Sequence, residues 1–94
     1  MRLSHDEVLL LKSSLEKLST EASLYLFGSR VDDGKKGGDI DLLVVSKKLE
    51  KKDLRKLRLD FYEKFGEQKI DIILDNGNFE DPFVKLVFEK AIKL

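Results

Sequence analysis

The chain has 94 residues, of which 41% are hydrophobic and 38% charged, with eighteen Lys plus Arg against eighteen Asp plus Glu, a single His and no Cys. That length fits one small domain over residues 1–94 and leaves no room for a second. Zero net charge excludes a bulk electrostatic case for binding nucleic acid or membranes, and the missing thiols exclude disulfide frameworks, thiolate metal centres and cysteine nucleophiles.

The first apolar run, Val8-Leu9-Leu10-Leu11, is too short for a secretory core and far too short to span a bilayer, so a soluble, cytoplasmic protein is expected. Ser4-His5-Asp6-Glu7 is a capping box, and Val8, Leu11, Leu15 and Leu18 then mark one face of a helix. Ser23 to Phe27 predicts a short buried strand that stops at Gly28-Ser29. A second strand is predicted over Asp39–Val45, then a helix over Lys47–Phe65 in which Leu54, Leu57, Phe61 and Phe65 share a face. Lys69 to Leu74 reads as the third strand, ended by Asp75-Asn76-Gly77.

Asp81 and Pro82 announce a last helix as N-cap and first helical residue. Val84, Val87, Phe88 and Ala91 form one apolar face of it, while Phe83, Leu86, Ile92 and Leu94 add a second. Such a helix either wedges into a groove of its own sheet or also docks a partner, which includes a second copy of the chain. The order of elements gives a small α+β domain with a sheet of about three strands and helices packed against it.

Asp39 and Asp41 lie two apart at the head of an apolar strand, so alternation projects both carboxylates from one face and Ile40 and Leu42 from the other. Side by side they repel unless a cation lies between them. With no His or Cys nearby, hard oxygen ligands favour magnesium or manganese over zinc. By itself such a pair also describes a solvated strand end. Asp71 adds weight, because Lys69-Ile70-Asp71-Ile72-Ile73-Leu74 sets an acid in an apolar strand, where it is expected to be buried and to need a partner or a metal. If the second and third strands are neighbours, Asp71 completes a three-carboxylate cluster able to hold two cations for phosphoryl or nucleotidyl transfer; the alternative is an ion pair with a Lys.

Gly28-Ser29 follows the first strand, and Arg30 to Asp33 can form one helical turn, so backbone amides and the Ser29 hydroxyl are candidates to hold phosphate oxygens. A plain turn is the alternative. A Walker A loop is excluded, since five residues separate Gly28 from Gly34 and Lys35 is followed by Lys36 rather than by a hydroxyl residue. The combination Gly-Ser-x9-Asp-x-Asp is more specific than its parts and would arise by chance in about one chain of this length in a thousand.

Leu26-Phe27-Gly28-Ser29-Arg30 followed by Gly38-Asp39-Ile40-Asp41-Leu42-Leu43-Val44 resembles the signature of the DNA polymerase β nucleotidyltransferase superfamily, and the small size resembles its minimal nucleotidyltransferase branch. The resemblance implies a mixed sheet flanked by helices. It implies Gly28, Ser29 and Arg30 on a nucleoside triphosphate such as ATP, and Asp39, Asp41 and Asp71 as the catalytic acids on two magnesium ions, with manganese as a substitute. It further implies an antitoxin that transfers AMP to a hydroxyl on a toxic ribonuclease of the HEPN family. The chain departs from the pattern at Val31-Asp32-Asp33, where many members carry a second Arg, and in its spacing of nine rather than ten. Lys35 and Lys36 are candidate substitutes as phosphate contacts.

Two other functions fit the same residues. One is a non-catalytic module that masks its partner by contact. The other is nucleotidyl transfer to a small molecule or an RNA end, for which Lys47 to Arg58, with seven basic residues against Glu50 and Asp53, would be the contact; the plainer reading of that run is a solvated helix face.

Overall fold

In the computed structural model, which describes residues 1–34 and 38–94, helix α1 (His5–Leu18) starts at the predicted capping box. The Ser4 hydroxyl accepts from the Glu7 N–H at 3.1 Å, and the Ser4 N–H donates to the Glu7 carboxylate at 2.9 Å. Two backbone donors that a helix start leaves unpaired are thereby satisfied. Leu11 and Leu15 are buried, whereas Val8 and Leu18 sit at the margin of the core.

Strand β1 (Ser23–Phe27) buries Leu24 and Leu26 and turns Tyr25 and Phe27 to the opposite face. Strand β2 (Ile40–Val45) runs antiparallel to it, with Phe27 opposite Asp41 and Ser23 opposite Val45. Ile40, Leu42, Leu43 and Val44 are all buried, because both faces of this central strand are covered along that stretch.

The helix expected from Lys47 begins later. The hydroxyl of buried Ser46 accepts from the N–H groups of Lys48 and Leu49, both at 3.2 Å, and ties this stretch into a turn. A 3-10 turn over Lys51–Asp53 follows, started by the Glu50 N–H donating to the Asp53 carboxylate at 2.8 Å, and helix α2 occupies Leu54–Phe65. Leu54, Leu57 and Phe61 are its buried stripe, and Phe61 is the largest fully buried side chain of the protein. Together with residues of α1, β1 and β2 they form one core on one face of the sheet.

Strand β3 (Ile70–Asp75) lies parallel to β2 in the register Ile40 to Ile70 and Asp41 to Asp71. Helix α3 (Pro82–Phe88) has Asp81 as its N-cap, whose carboxylate accepts from the Phe83 N–H at 2.8 Å. It rests on the second face of the sheet: the Phe83 ring meets Phe27 edge-on and the Phe88 ring meets Tyr25. The prediction of a helix carrying Ala91, Ile92 and Leu94 is corrected here, since the helix ends at Phe88 and a further strand, β4 (Ile92–Lys93), pairs antiparallel with β1. Two residues of strand carry no readable period, and what selects them is the free edge of β1, which they and Leu94 satisfy by hydrogen bonding.

The sheet therefore has four strands in the order β3-β2-β1-β4, mixed in direction, with α1 and α2 on one face and α3 on the other. This is the α+β architecture expected, with one strand more than the sequence showed.

Candidate active site

At the end of β1 the chain enters a 3-10 turn over Gly28–Val31. Gly28 has φ +78°, in the left-handed region that favours glycine, and a Cβ placed on it would collide with the Asp41 carboxylate. Gly38, at φ +93°, stands in the same way against the Ser29 hydroxyl. The two glycines let the turn lie directly against the head of β2, so the phosphate-binding candidates and the acidic pair share one corner.

The turn is braced from the N-terminus. The Arg2 guanidinium donates to the carbonyls of Ser29 and Asp32, each at 3.0 Å, and the Arg2 N–H donates to the Arg30 carbonyl at 2.7 Å. Arg30 returns the contact through Nη1 to the Arg2 carbonyl at 2.9 Å and reaches the Gly38 carbonyl through Nε at 3.3 Å. Arg30 thus closes the loop upon itself, a role the motif alone does not announce. Arg2 was invisible in the sequence, since its partners lie 27 and 30 residues away and no spacing marks them. Lys35 and Lys36 lie outside the described residues.

Asp39 and Asp41 project from the face opposite Ile40 and Leu42, as alternation demands, and parallel pairing sets Asp71 directly beside Asp41. Burial, then the neighbouring charges of Asp71 and Asp39, push the Asp41 carboxyl above the usual carboxylate range, against an opposing pull from Lys69. A site that gathers like charges around a partly shielded carboxylate is destabilised by itself and relieved by a cation.

Asp71 is exposed, which corrects the expectation of a buried acid. Because β3 is an edge strand, its carboxylate face stays open to solvent at this point, and hydration replaces the partner that burial would require. The ion pair expected as the alternative does form, but on Asp39: Lys69 Nζ lies 3.3 Å from its carboxylate, and Asp39 in turn holds the Lys69 ammonium above its usual range. Among the described residues no group of three carboxylates or imidazoles is assembled to hold a metal ion. The donor set nevertheless suits a hard divalent cation, being oxygen only and setting the charges of Asp71 and Asp39 beside a partly buried Asp41. Beside Gly28 a groove of about 660 Å³ opens between Phe27 and the exposed side chains of Phe83 and Leu86.

Residues 9–94 match the family model described as a nucleotidyltransferase domain. The chain belongs to this nucleotidyltransferase domain family, within the polymerase β superfamily. No curated protein matches it. Nucleotidyl transfer from a nucleoside triphosphate is the activity that membership carries in general, and divalent cations are the usual cofactors of such domains. Among the described residues no helix is long and apolar enough to cross a membrane.

Proposed function

We propose that the chain is a minimal nucleotidyltransferase that moves AMP from ATP to a hydroxyl on a protein partner, acting as the antitoxin of a HEPN-family ribonuclease in the cytoplasm. The observation that carries the transfer chemistry is the corner itself: Gly28 packed on Asp41, and Asp41 in register with Asp71 on the next strand. The antitoxin role rests on the sequence resemblance.

In this reading the amides of the Gly28–Val31 turn and the Ser29 hydroxyl receive the triphosphate, and Arg30 holds the turn in shape. The groove beside Gly28 receives the base. Asp39, Asp41 and Asp71 would hold the divalent cations, magnesium or manganese, once Lys69 releases Asp39. Bound there, the cations supply charge neutralisation on the triphosphate and lower the pKa of the acceptor hydroxyl. Asp71, open to solvent at the edge of the sheet, takes the proton from that hydroxyl. The freed oxygen then bonds to the α-phosphorus as the bond to the pyrophosphate leaving group breaks.

The Asp39 to Lys69 ion pair favours a second reading, in which the acidic corner is internally neutralised and the chain masks its partner by contact alone. One experiment separates the two. Purified protein, magnesium, ATP labelled at the α-phosphate and the product of an adjacent gene should give a labelled partner, and the Asp39→Ala, Asp41→Ala double variant should give none. A double variant that still neutralises the partner as well as the parent chain does would refute the enzymatic reading and leave masking. Mass spectrometry of the labelled partner identifies the acceptor residue.

A further inference from the structure

The basic run after β2 has no part in the chemistry above, yet it lines a groove at the opposite side of β3. Parallel pairing uses alternate residues of a strand, and the N–H groups of Ile40 and Ser46 donate to the carbonyls of Lys69 and Asp75 at 3.1 and 2.9 Å. The backbone groups of Lys69, Asp71, Ile73 and Asp75 therefore face β2, and those of Ile70, Ile72 and Leu74 face the outer edge. Arg58 Nε takes the outward carbonyl of Ile70 at 3.3 Å. Nothing among the described residues takes the outward groups of Ile72 and Leu74.

A groove of about 480 Å³ runs along this edge. One wall is cationic, built from Lys51, Lys52, Arg55 and Arg58, and the other carries the ring of Phe83, which is 52% exposed. Lys52 leans on Glu50 at 3.5 Å across open solvent, while Lys51 and Arg55 have no ion pair among the described residues. The single acid of the lining, Asp81, is engaged in capping α3.

We propose that this groove binds an extended, acidic segment of a partner protein, which adds to β3 as a fifth strand. Strand addition satisfies the N–H and the carbonyl of Ile72 and Leu74 together. A nucleic-acid backbone answers the cations but brings no alternating ladder of N–H and C=O groups at strand spacing to match Ile72 and Leu74. A second copy of this chain would bring two cationic walls against each other, and like charges opposed across an interface disfavour it. Alternating side chains of the added strand meet either the cationic wall or the carboxylate face of the sheet. A residue paired with Asp71 stands next to the acid proposed as base, a consequence that rests on the proposed function; the binding does not.

The test is a titration of the isotope-labelled full chain, followed by its amide resonances, with an eight-residue peptide alternating Thr and Glu. The amides of Ile72 and Leu74 should shift, and a peptide with Lys in place of Glu should leave them unmoved. The Lys51→Glu, Arg55→Glu double variant should bind the acidic peptide at least tenfold more weakly. Methylating alternate backbone nitrogens of the acidic peptide should weaken it as much on the unaltered chain, a result independent of any folding defect in the variant. Absence of shifts at Ile72 and Leu74, binding indifferent to N-methylation, or an oligothymidylate that moves these amides where the peptide does not would each overturn the proposal. Transfer activity is read separately, so loss of peptide binding and loss of nucleotide chemistry are distinguishable.

Discussion

Asp60 on α2 and Asp41 on β2 are both partly shielded carboxylates, and the fold treats them in opposite ways. Asp60 receives Lys56 Nζ at 2.7 Å and the hydroxyl of buried Ser14 at 2.7 Å, so that it ties α1 to α2. Those hydrogen bonds, Lys56 before Ser14, hold its carboxyl below the usual range. Asp41 is held above that range by burial and then by the charges of Asp71 and Asp39 beside it. A carboxylate surrounded by donors stabilises the native chain; one surrounded by its own kind destabilises it and leaves the free energy to be recovered by a ligand.

The sharpest way to break this comparison is to neutralise Asp41. Asp41→Asn should lower nucleotidyl transfer on the order of a hundredfold or more, because charge placement carries this chemistry. It should leave the urea midpoint at neutral pH unchanged or higher, since it removes a charge that the fold disfavours. Ser14→Ala should do the reverse. It leaves Asp60 short of a donor and should cost about 1–2 kcal/mol in urea unfolding, with the transfer rate of the folded fraction unchanged.

A smaller effect is expected at Lys69, which neutralises Asp39 in place of a cation. Lys69→Met should tighten magnesium binding by about twofold to fivefold, the range set by an exposed ion pair, as read by calorimetry. The smallest is a pH effect. The folded carboxyl of Asp60 titrates below its unfolded value of 3.8, so its stabilisation is fully present above that value and is lost as pH falls through the folded one. Stability measured against pH should fall less steeply over this acid range in Asp60→Asn than in the unaltered chain.

The same contrast explains what the sequence disclosed. The carboxylate pair was legible because strand alternation is a local rule, and Ile40 and Leu42 confirm it by their burial. The α1 start was legible because Ser4 and Glu7 are three residues apart. Features set by distant parts of the chain were not. The apolar neighbours of Asp71 in sequence predict burial, whereas its exposure follows from the edge position of β3 in the sheet. Lys69 finds Asp39 only once the strands pair, β4 exists only because β1 has a free edge, and Arg2 acts on a turn far along the chain. The delayed start of α2 reflects a competition: the Ser46 hydroxyl and the Asp53 carboxylate take backbone donors that a longer helix would have used.

The central claim is that the corner of Gly28, Asp41 and Asp71 stores unfavourable negative charge for a cation and a triphosphate. It is tested most directly by thermal unfolding of the unaltered chain and of Asp41→Asn, each with and without magnesium and a non-hydrolysable ATP analogue. With the analogue at about a hundred times its Kd, the unaltered chain should gain about 2.7 kcal/mol of stability. Asp41→Asn should gain little, and the analogue without magnesium should do little for either. An unaltered chain that gains nothing from the pair, or an Asn variant that gains as much, would contradict the account.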